Sequence, residues 1–234
     1  MQYVKIKDSI VEQIESGLLS PRQKLPAERK LSESFDTTRV TLREALSLLE
    51  AEGRIYREDR RGWFISPEPL KYDPTQTLNF TNMALAQNRS PQTELIAAKG
   101  ILVNKQAASL LGLQPFSDVY KVDRVRYLED RPVVFVTNYI RPELFPNLLD
   151  FDLSKSLTDI YRDHFGMVYQ KIRYRISTSS LLGDTAQALR ATSGTPAMVV
   201  ERINYNQHGE LIDCDIEYWR HDAISIESIA VLNH

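Results

Sequence analysis

The stretch FISPEPLKYDPTQT, residues 64–77, carries Pro67, Pro69 and Pro74 within eight residues. Each proline fixes φ and removes a backbone donor, so neither a continuous helix nor a central strand runs through it. The spacing predicts an extended linker over 67–75. Before it the pattern is mostly helical, and after it β-branched and aromatic runs alternate with short helical ones. In a chain of 234 residues, each side is long enough for its own core. Two domains are expected, 1–66 and 76–234.

In the first part Ile6, Ile10 and Ile14 recur every fourth residue and Gly17 follows as a stop. A second helix is expected from Pro26, with a turn at Asp36-Thr37, and a third with Leu42, Ala45, Leu46 and Leu49 on one stripe, ending at Gly53. RIYREDRRGWFIS then reads as two short strands around a charged turn, with Gly62 where φ turns positive. Helix, helix, helix, hairpin is a winged helix-turn-helix. The apolar stripe of the third helix must face its own core, which leaves Arg39 and Arg43 on the outside. Early positions of such a helix reach base edges in the major groove, so Thr38, Arg39, Thr41 and Arg43 are the candidate readers. Arginine bonds guanine N7 and O6 together, for about 1–3 kcal/mol of discrimination. Arg57, Arg60 and Arg61 around Gly62 suit phosphates or a minor groove. The competing reading is a winged helix that binds protein, because residues 22–61 hold ten Lys/Arg against eight Asp/Glu. The placement of the arginines, not bulk charge, carries the nucleic-acid reading.

Bulk properties exclude more than they assign. A net charge of -2 supplies no global attraction to DNA. One cysteine excludes an intrachain disulfide and a cysteine-cluster metal site, and fits a reducing cytoplasm. MQYVKIKDSIVEQIESG lacks the apolar core of a signal peptide, and no run nears the roughly 18 apolar residues of a membrane span. A cytoplasmic location is expected. His164, His208, His221 and His234 show no metal-ligand spacing and read as surface or turn residues; no glycine-rich phosphate loop or G-x-S-x-G elbow occurs. No metal, cofactor or catalytic group is expected.

Beyond the linker, TLNFTNMALAQN, NKQAASLLG, SLTDIYRDHFG and GDTAQALRA are helix-like. SDVYKVDRVRYL, PVVFVTNYI, VYQKIRYRISTSS, AMVVERINYN and ELIDCDIEYW are strand-like, with turns at LEDRP and NQHGE. Tight turns join antiparallel neighbours, so this part is α+β with one antiparallel sheet. IDCDIEYW places Asp213, Asp215 and Glu217 on one strand face and Ile212, Cys214, Ile216 and Tyr218 on the other. Arg124 and Arg126 alternate on one strand, as do Lys171, Arg173, Arg175, Ser177 and Ser179 on another. Two readings stay open. The cations pair with the acids across the sheet, or Arg124, Arg126, Ser177 and Ser179 grip an anion while one or more of Asp213, Asp215 and Glu217 hold an ammonium group.

The stretch GLLSPRQKLPAERKLSESFDTTRVTLREALSLLEAEGRIYREDRRGWFI resembles the DNA-binding domain of the GntR family of bacterial transcription factors. That resemblance implies Arg29 on a phosphate or base edge, Arg39 and Arg43 in the major groove, and Gly62 in the wing tip. DVYKVDRVRYLEDRPVVFVTNYI and TPAMVVERINYNQHGELIDCDIEYWRHD are similar to the UTRA effector-binding domain of the HutC subfamily, which shares a fold with chorismate lyase. This implies a dimer and a small effector, often phosphorylated or carboxylated, with Arg124 and Arg126 as a ligand pair and Ser177 and Ser179 as hydroxyl contacts. WRHD, residues 219–222, stands where many relatives have tyrosine-arginine-glycine-aspartate. DPTQ, RRGWF and DIEYWRHD are similar to their counterparts in the regulators of 2-aminoethylphosphonate utilisation, which implies that ligand. The expected function is a ligand-responsive regulator, commonly a repressor in the family, that binds a pseudo-palindromic operator as a homodimer and transmits ligand binding through the linker. An enzyme of the chorismate lyase type lacks an acid, base and nucleophile constellation here. A constitutive DNA-binding protein would not need a pocket of arginines and acids.

Overall fold

A computed structural model describes residues 1–76 and 78–231, and so omits Thr77 and His234 among the residues discussed above. Its contacts divide the chain into two compact units. The first holds Met1–Lys71, Ser180–Pro196 and Arg220–Ile226; the second holds Tyr72–Ser179, Ala197–Trp219 and the residues from Glu227 onward.

The first unit opens with helices α1 (Gln2–Glu15), α2 (Glu28–Ser34) and α3 (Arg39–Ala51), followed by strands β1 (Ile55–Glu58) and β2 (Gly62–Ile65). Ile6 and Ile10 of α1 pack with Leu31, Ile55, Trp63, Ile65 and the stripe Leu42, Ala45, Leu46 and Leu49, all four wholly buried. Thr38 caps α3, its hydroxyl oxygen accepting from the Thr41 amide at 3.2 Å. β1 and β2 pair antiparallel, Glu58 opposite Gly62, and Gly62 takes φ +104°, open only to glycine. The winged helix-turn-helix is therefore present as expected.

The stretch 67–75 contains strand β3 (Leu70–Tyr72) and then turns, the Gln76 amide donating to the Asp73 carbonyl at 3.1 Å. Pro67 and Pro69 precede that strand, so its amides are free to pair; Leu70 and Tyr72 are buried and β3 lies beside a late strand, β10 (Ile224–Ile226).

The second unit is built from α4 (Phe80–Ala86), β4 (Pro91–Leu102), α5 (Lys105–Leu111), β5 (Asp118–Leu128), β6 (Arg131–Ile140), α6 (Leu157–Phe165), β7 (Tyr169–Ser180), β8 (Pro196–Asn206) and β9 (Leu211–Arg220); α7 (Gly183–Ala188) and β10 (Ile224–Ile226) belong to the first unit. Six strands form one sheet in the order β4-β5-β6-β9-β8-β7. Glu129 and Asp130 both take positive φ, 48° and 62°, the pattern of a two-residue turn that follows strand twist. The sheet is covered on both faces. One face packs Tyr139, Cys214 and Ile216 against Ala107 and Leu111 of α5. The other packs Val122 and Ile140 against Leu157, Ile160 and Tyr161 of α6. The sequence reading missed β4. Its register shifts between Leu95 and Ala97, which breaks the two-residue period, and Ala97, Ala98, Lys99 and Gly100 are weak strand formers. No helix among the described residues is long and apolar enough to cross a membrane.

Candidate functional site

In the first unit Arg39 begins α3 as an exposed side chain. Arg43, one turn later, donates from Nε to Oε2 of Glu28 at 2.8 Å, and the other oxygen of Glu28 accepts from Trp63 Nε1 at 3.2 Å. Burial alone would raise the Glu28 carboxyl, but the bonds from Arg43 and Trp63 prevail and hold it below its usual range. One carboxylate thus ties the helix to the wing. Thr38 and Thr41 have their hydroxyl oxygens 3.0 Å apart and serve the helix start. Arg29 pairs with Glu33 at 3.4 Å on the exposed side of α2. In the wing, the Arg57 guanidinium lies 5.6 Å from the Trp63 ring centroid, Arg61 bonds Glu58, and Arg60 projects into solvent. A notch lined by Glu28, Arg43, Arg57, Arg61, Gly62 and Trp63 joins α3 to the wing.

The second unit has a cavity of about 210 Å³, lined by Arg124 and Arg126 of β5, Arg202 of β8, Asp215 of β9, Asn138 of β6, and the loop Ser154-Lys155-Ser156 before α6, among others. Strand register puts these groups together. Arg124 stands opposite Val136, and Val136 opposite Glu217, so arginines and acids share a face. Arg124 is almost fully buried and donates to Asn138 Oδ1 at 2.8 Å and to the Lys155 carbonyl at 3.1 Å. Burial, then the neighbouring Arg126, pulls its guanidinium down to about 10, which leaves it cationic at neutral pH. Arg126 lies 5.2 Å from the Phe80 ring centroid and 3.9 Å from Glu217. Arg202 lies 3.3 Å from Asp215 and 3.7 Å from Glu217. The Nε atoms of Arg124 and Arg202 are buried with no hydrogen-bond acceptor.

The two readings of the charged strands divide between residues. Glu217 is buried beneath the cavity and accepts from Trp219 Nε1 at 2.8 Å. Asp213 is also buried, and accepts from the hydroxyls of Tyr169 at 2.8 Å and Tyr161 at 3.1 Å. Only Asp215 of the three lines the cavity, and it already accepts from Asn204 at 2.8 Å. Of the three acids expected as candidates for an ammonium group, Asp215 stands at the cavity wall, while α6 covers that face elsewhere and its Tyr161 takes Asp213. Ser177 and Ser179 lie on the exposed end of edge strand β7 and do not line the cavity. Ser154 and Ser156 do. Sequence reasoning missed them and Arg202, although Ser156 is the N-cap of α6 and DLSKSLT carries that cap signal.

Asp213 yields a pH prediction. Burial, then the Asp215 charge, pushes its carboxyl up to about 7 despite the tyrosine hydrogen bonds. The folded chain therefore keeps a proton that the unfolded chain releases near pH 4, so stability falls as pH rises from about 4 to 7. Asp213→Asn keeps an oxygen for both tyrosines and removes this loss. The variant should melt at about the parental temperature at pH 4 and about 5 °C higher at pH 8, as read by thermal unfolding. A variant-minus-parent difference that stays constant from pH 4 to pH 8 would show that Asp213 is ionised throughout.

Among the other histidines, His208 is exposed in the turn between β8 and β9, and His164 is exposed with its ring 4.6 Å from that of Phe151. His221 opens the short turn after β9, half-buried, with its ring between two backbone carbonyls.

Residues 2–65 match the family described as bacterial regulatory proteins, gntR family, and residues 86–225 match the UTRA domain. The chain is 30% identical over 225 residues to the HTH-type transcriptional regulator YihL of Escherichia coli K12, covering 94% of each. It is 28% identical to the HTH-type transcriptional repressor NagR of Bacillus subtilis, covering 94% of this chain and 90% of that one. The crystal structure of PhnF from Mycobacterium smegmatis shares the fold, with a TM-score of 0.67 at 23% identity over 97% of this chain and 100% of that chain.

Proposed function

The chain belongs to the GntR family of bacterial transcriptional regulators and carries a UTRA domain, and we propose that a small anion seated on Arg124, Arg126 and Arg202 sets its affinity for operator DNA. The observation that carries this reading is the surplus of guanidinium groups in the cavity. Arg124, Arg126, Arg162, Arg202 and Lys155 line it with one carboxylate, Asp215, and the Nε atoms of Arg124 and Arg202 are buried without acceptors among the described residues. A phosphate or phosphonate group supplies several acceptor oxygens and two negative charges, which suits such a set. Ser154 and Ser156 offer hydroxyls at the same wall.

On the DNA side, Arg39 and Arg43 read base edges in the major groove, with Thr38 and Thr41 beside them, while Arg29, Arg57 and the Gly62 turn face the backbone. A homodimer would place two such heads on a pseudo-palindromic operator. Ligand changes DNA affinity only by favouring one arrangement of the protein over another.

The finer reading is 2-aminoethylphosphonate, with its phosphonate on the arginines and its ammonium on Asp215. Calorimetry with the purified chain tests it against ethylphosphonate, inorganic phosphate and a phosphosugar. If Asp215 holds the amine, ethylphosphonate should bind at least about tenfold more weakly, a loss of about 1.4 kcal/mol. Equal affinity for both phosphonates sinks the zwitterion and keeps the anion, and leaves a phosphosugar or carboxylate effector as the better reading. Binding of none of these, and of no carboxylate, sinks the cavity's role.

A further inference from the structure

Arg220, His221 and Asp222 are absent from the cavity wall and belong to the first unit. All three contact the winged helix. Arg220 is 1% exposed. It donates to the Arg57 carbonyl of β1 at 2.7 Å and to the Leu189 carbonyl at 2.8 Å, and its guanidinium lies 5.4 Å from the Tyr56 ring centroid. His221 places Nε2 2.6 Å from the Glu50 carbonyl of α3 and Nδ1 3.1 Å from the Pro196 carbonyl. Asp222 accepts from the Ser66 hydroxyl, just past β2, at 3.0 Å. It also lies against Gly53, where an added Cβ would sit 3.5 Å from the Asp222 side chain.

These contacts fall on the parts of the winged helix that set its pose. Glu50 lies in the last turn of α3, where its carbonyl accepts from the Gly53 amide at 2.9 Å and has a second lone pair for a His221 ring N–H. Arg57 and Ser66 lie on the two arms of the wing. A segment of three residues therefore fixes the recognition helix against its hairpin. That segment is the direct continuation of β9, the strand that brings Asp215 to the cavity and Glu217 to Arg126 and Arg202. β9 runs from Glu217 to Arg220 as one uninterrupted strand.

We infer that Arg220, His221 and Asp222 form a coupling strap that carries the state of the cavity to α3 and the wing, with His221 and Asp222 as positioning residues. The inference rests on the anion reading of the cavity and adds a route other than the chain linker. A glycine in place of His221 would offer no side chain to the Glu50 carbonyl.

The test uses the full chain, duplexes selected from random sequence by the parent, and 2-aminoethylphosphonate and inorganic phosphate as probes. In His221→Ala and Ser66→Ala, calorimetric affinity for the probe should stay within about twofold of the parent. The ratio of operator affinities with and without probe should fall to within about twofold of unity. Hydrogen exchange supplies a readout that needs no ligand: amides in the last turn of α3 and in β1 should exchange faster in His221→Ala, and those of β5 and β6 should not change. Unchanged exchange in α3 and β1 overturns the strap, whatever the probes do. Faster exchange with the parental operator ratio retained overturns the coupling. If the parent binds neither probe, the failure lies in the cavity reading, and exchange alone decides the strap.

Discussion

Arg39→Ala is expected to erase operator preference while leaving the fold intact. The side chain is exposed at the first turn of α3, outside the buried stripe, and Thr38 caps the helix without it. Its removal should change stability by less than about 0.5 kcal/mol. What it removes is a fork that bonds two guanine acceptors, worth about 1–3 kcal/mol for each half-site. In a dimer both copies are lost, so specific affinity should fall by about 2–6 kcal/mol, roughly 30- to 25,000-fold. Gel-shift titrations at one fixed salt concentration, on operator and unrelated duplexes, measure this. Non-specific affinity should drop little by comparison. Full sequence preference in the variant would remove Arg39 from the reading face. Arg43→Ala is a less clean probe, because it also frees Glu28 and loosens the tie to Trp63.

The second large effect is expected at Arg124. Hydrogen bonds to a charged partner contribute about 1.5–3 kcal/mol each, so losing a bidentate grip should weaken anion binding by about 3 kcal/mol or more, at least 100-fold. Arg124→Ala also strands Asn138 Oδ1 and the Lys155 carbonyl, so Arg124→Lys is the needed companion. It restores the charge but not the planar fork, and should recover only part of the affinity. Ser177→Ala should have no effect, because that hydroxyl lies outside the cavity wall. Calorimetry at pH 7 measures all three. An Arg124→Ala chain with parental anion affinity removes the guanidinium model of the cavity.

Much of this architecture could be read in the chain because its causes are local. The stripe Leu42, Ala45, Leu46 and Leu49 has helical spacing and is buried as one face. Glu129-Asp130 and Gly209 form turns where short polar residues and glycine tolerate positive φ. The recognition-helix candidates followed from the same local pattern. The cavity was less legible because its members are assembled by strand order. Arg202 reaches Asp215 across the β8–β9 hairpin that the NQHGE turn marks, but Arg124 and Arg126 share their cavity only because β6 lies between β5 and β9, which no local signal fixes. Alternation correctly separated Asp213, Asp215 and Glu217 from Cys214 and Ile216. It could not reveal that α5 covers one face and α6 the other, which leaves Asp213 sealed under Tyr161. Ser177 and Ser179 share the alternation of Arg173 and Arg175, but β7 is an edge strand and they lie at its exposed end.

The first compact unit gathers Met1–Lys71 with Ser180–Pro196 and Arg220–Ile226. Its reading head is consequently not a cassette that can be cut out at the prolines. A chimera that grafts residues 1–66 onto another family member's sensor would inherit a foreign set of late segments beneath its wing. It should reproduce the donor's operator choice, yet answer the new host's signal only where those late segments are transplanted too.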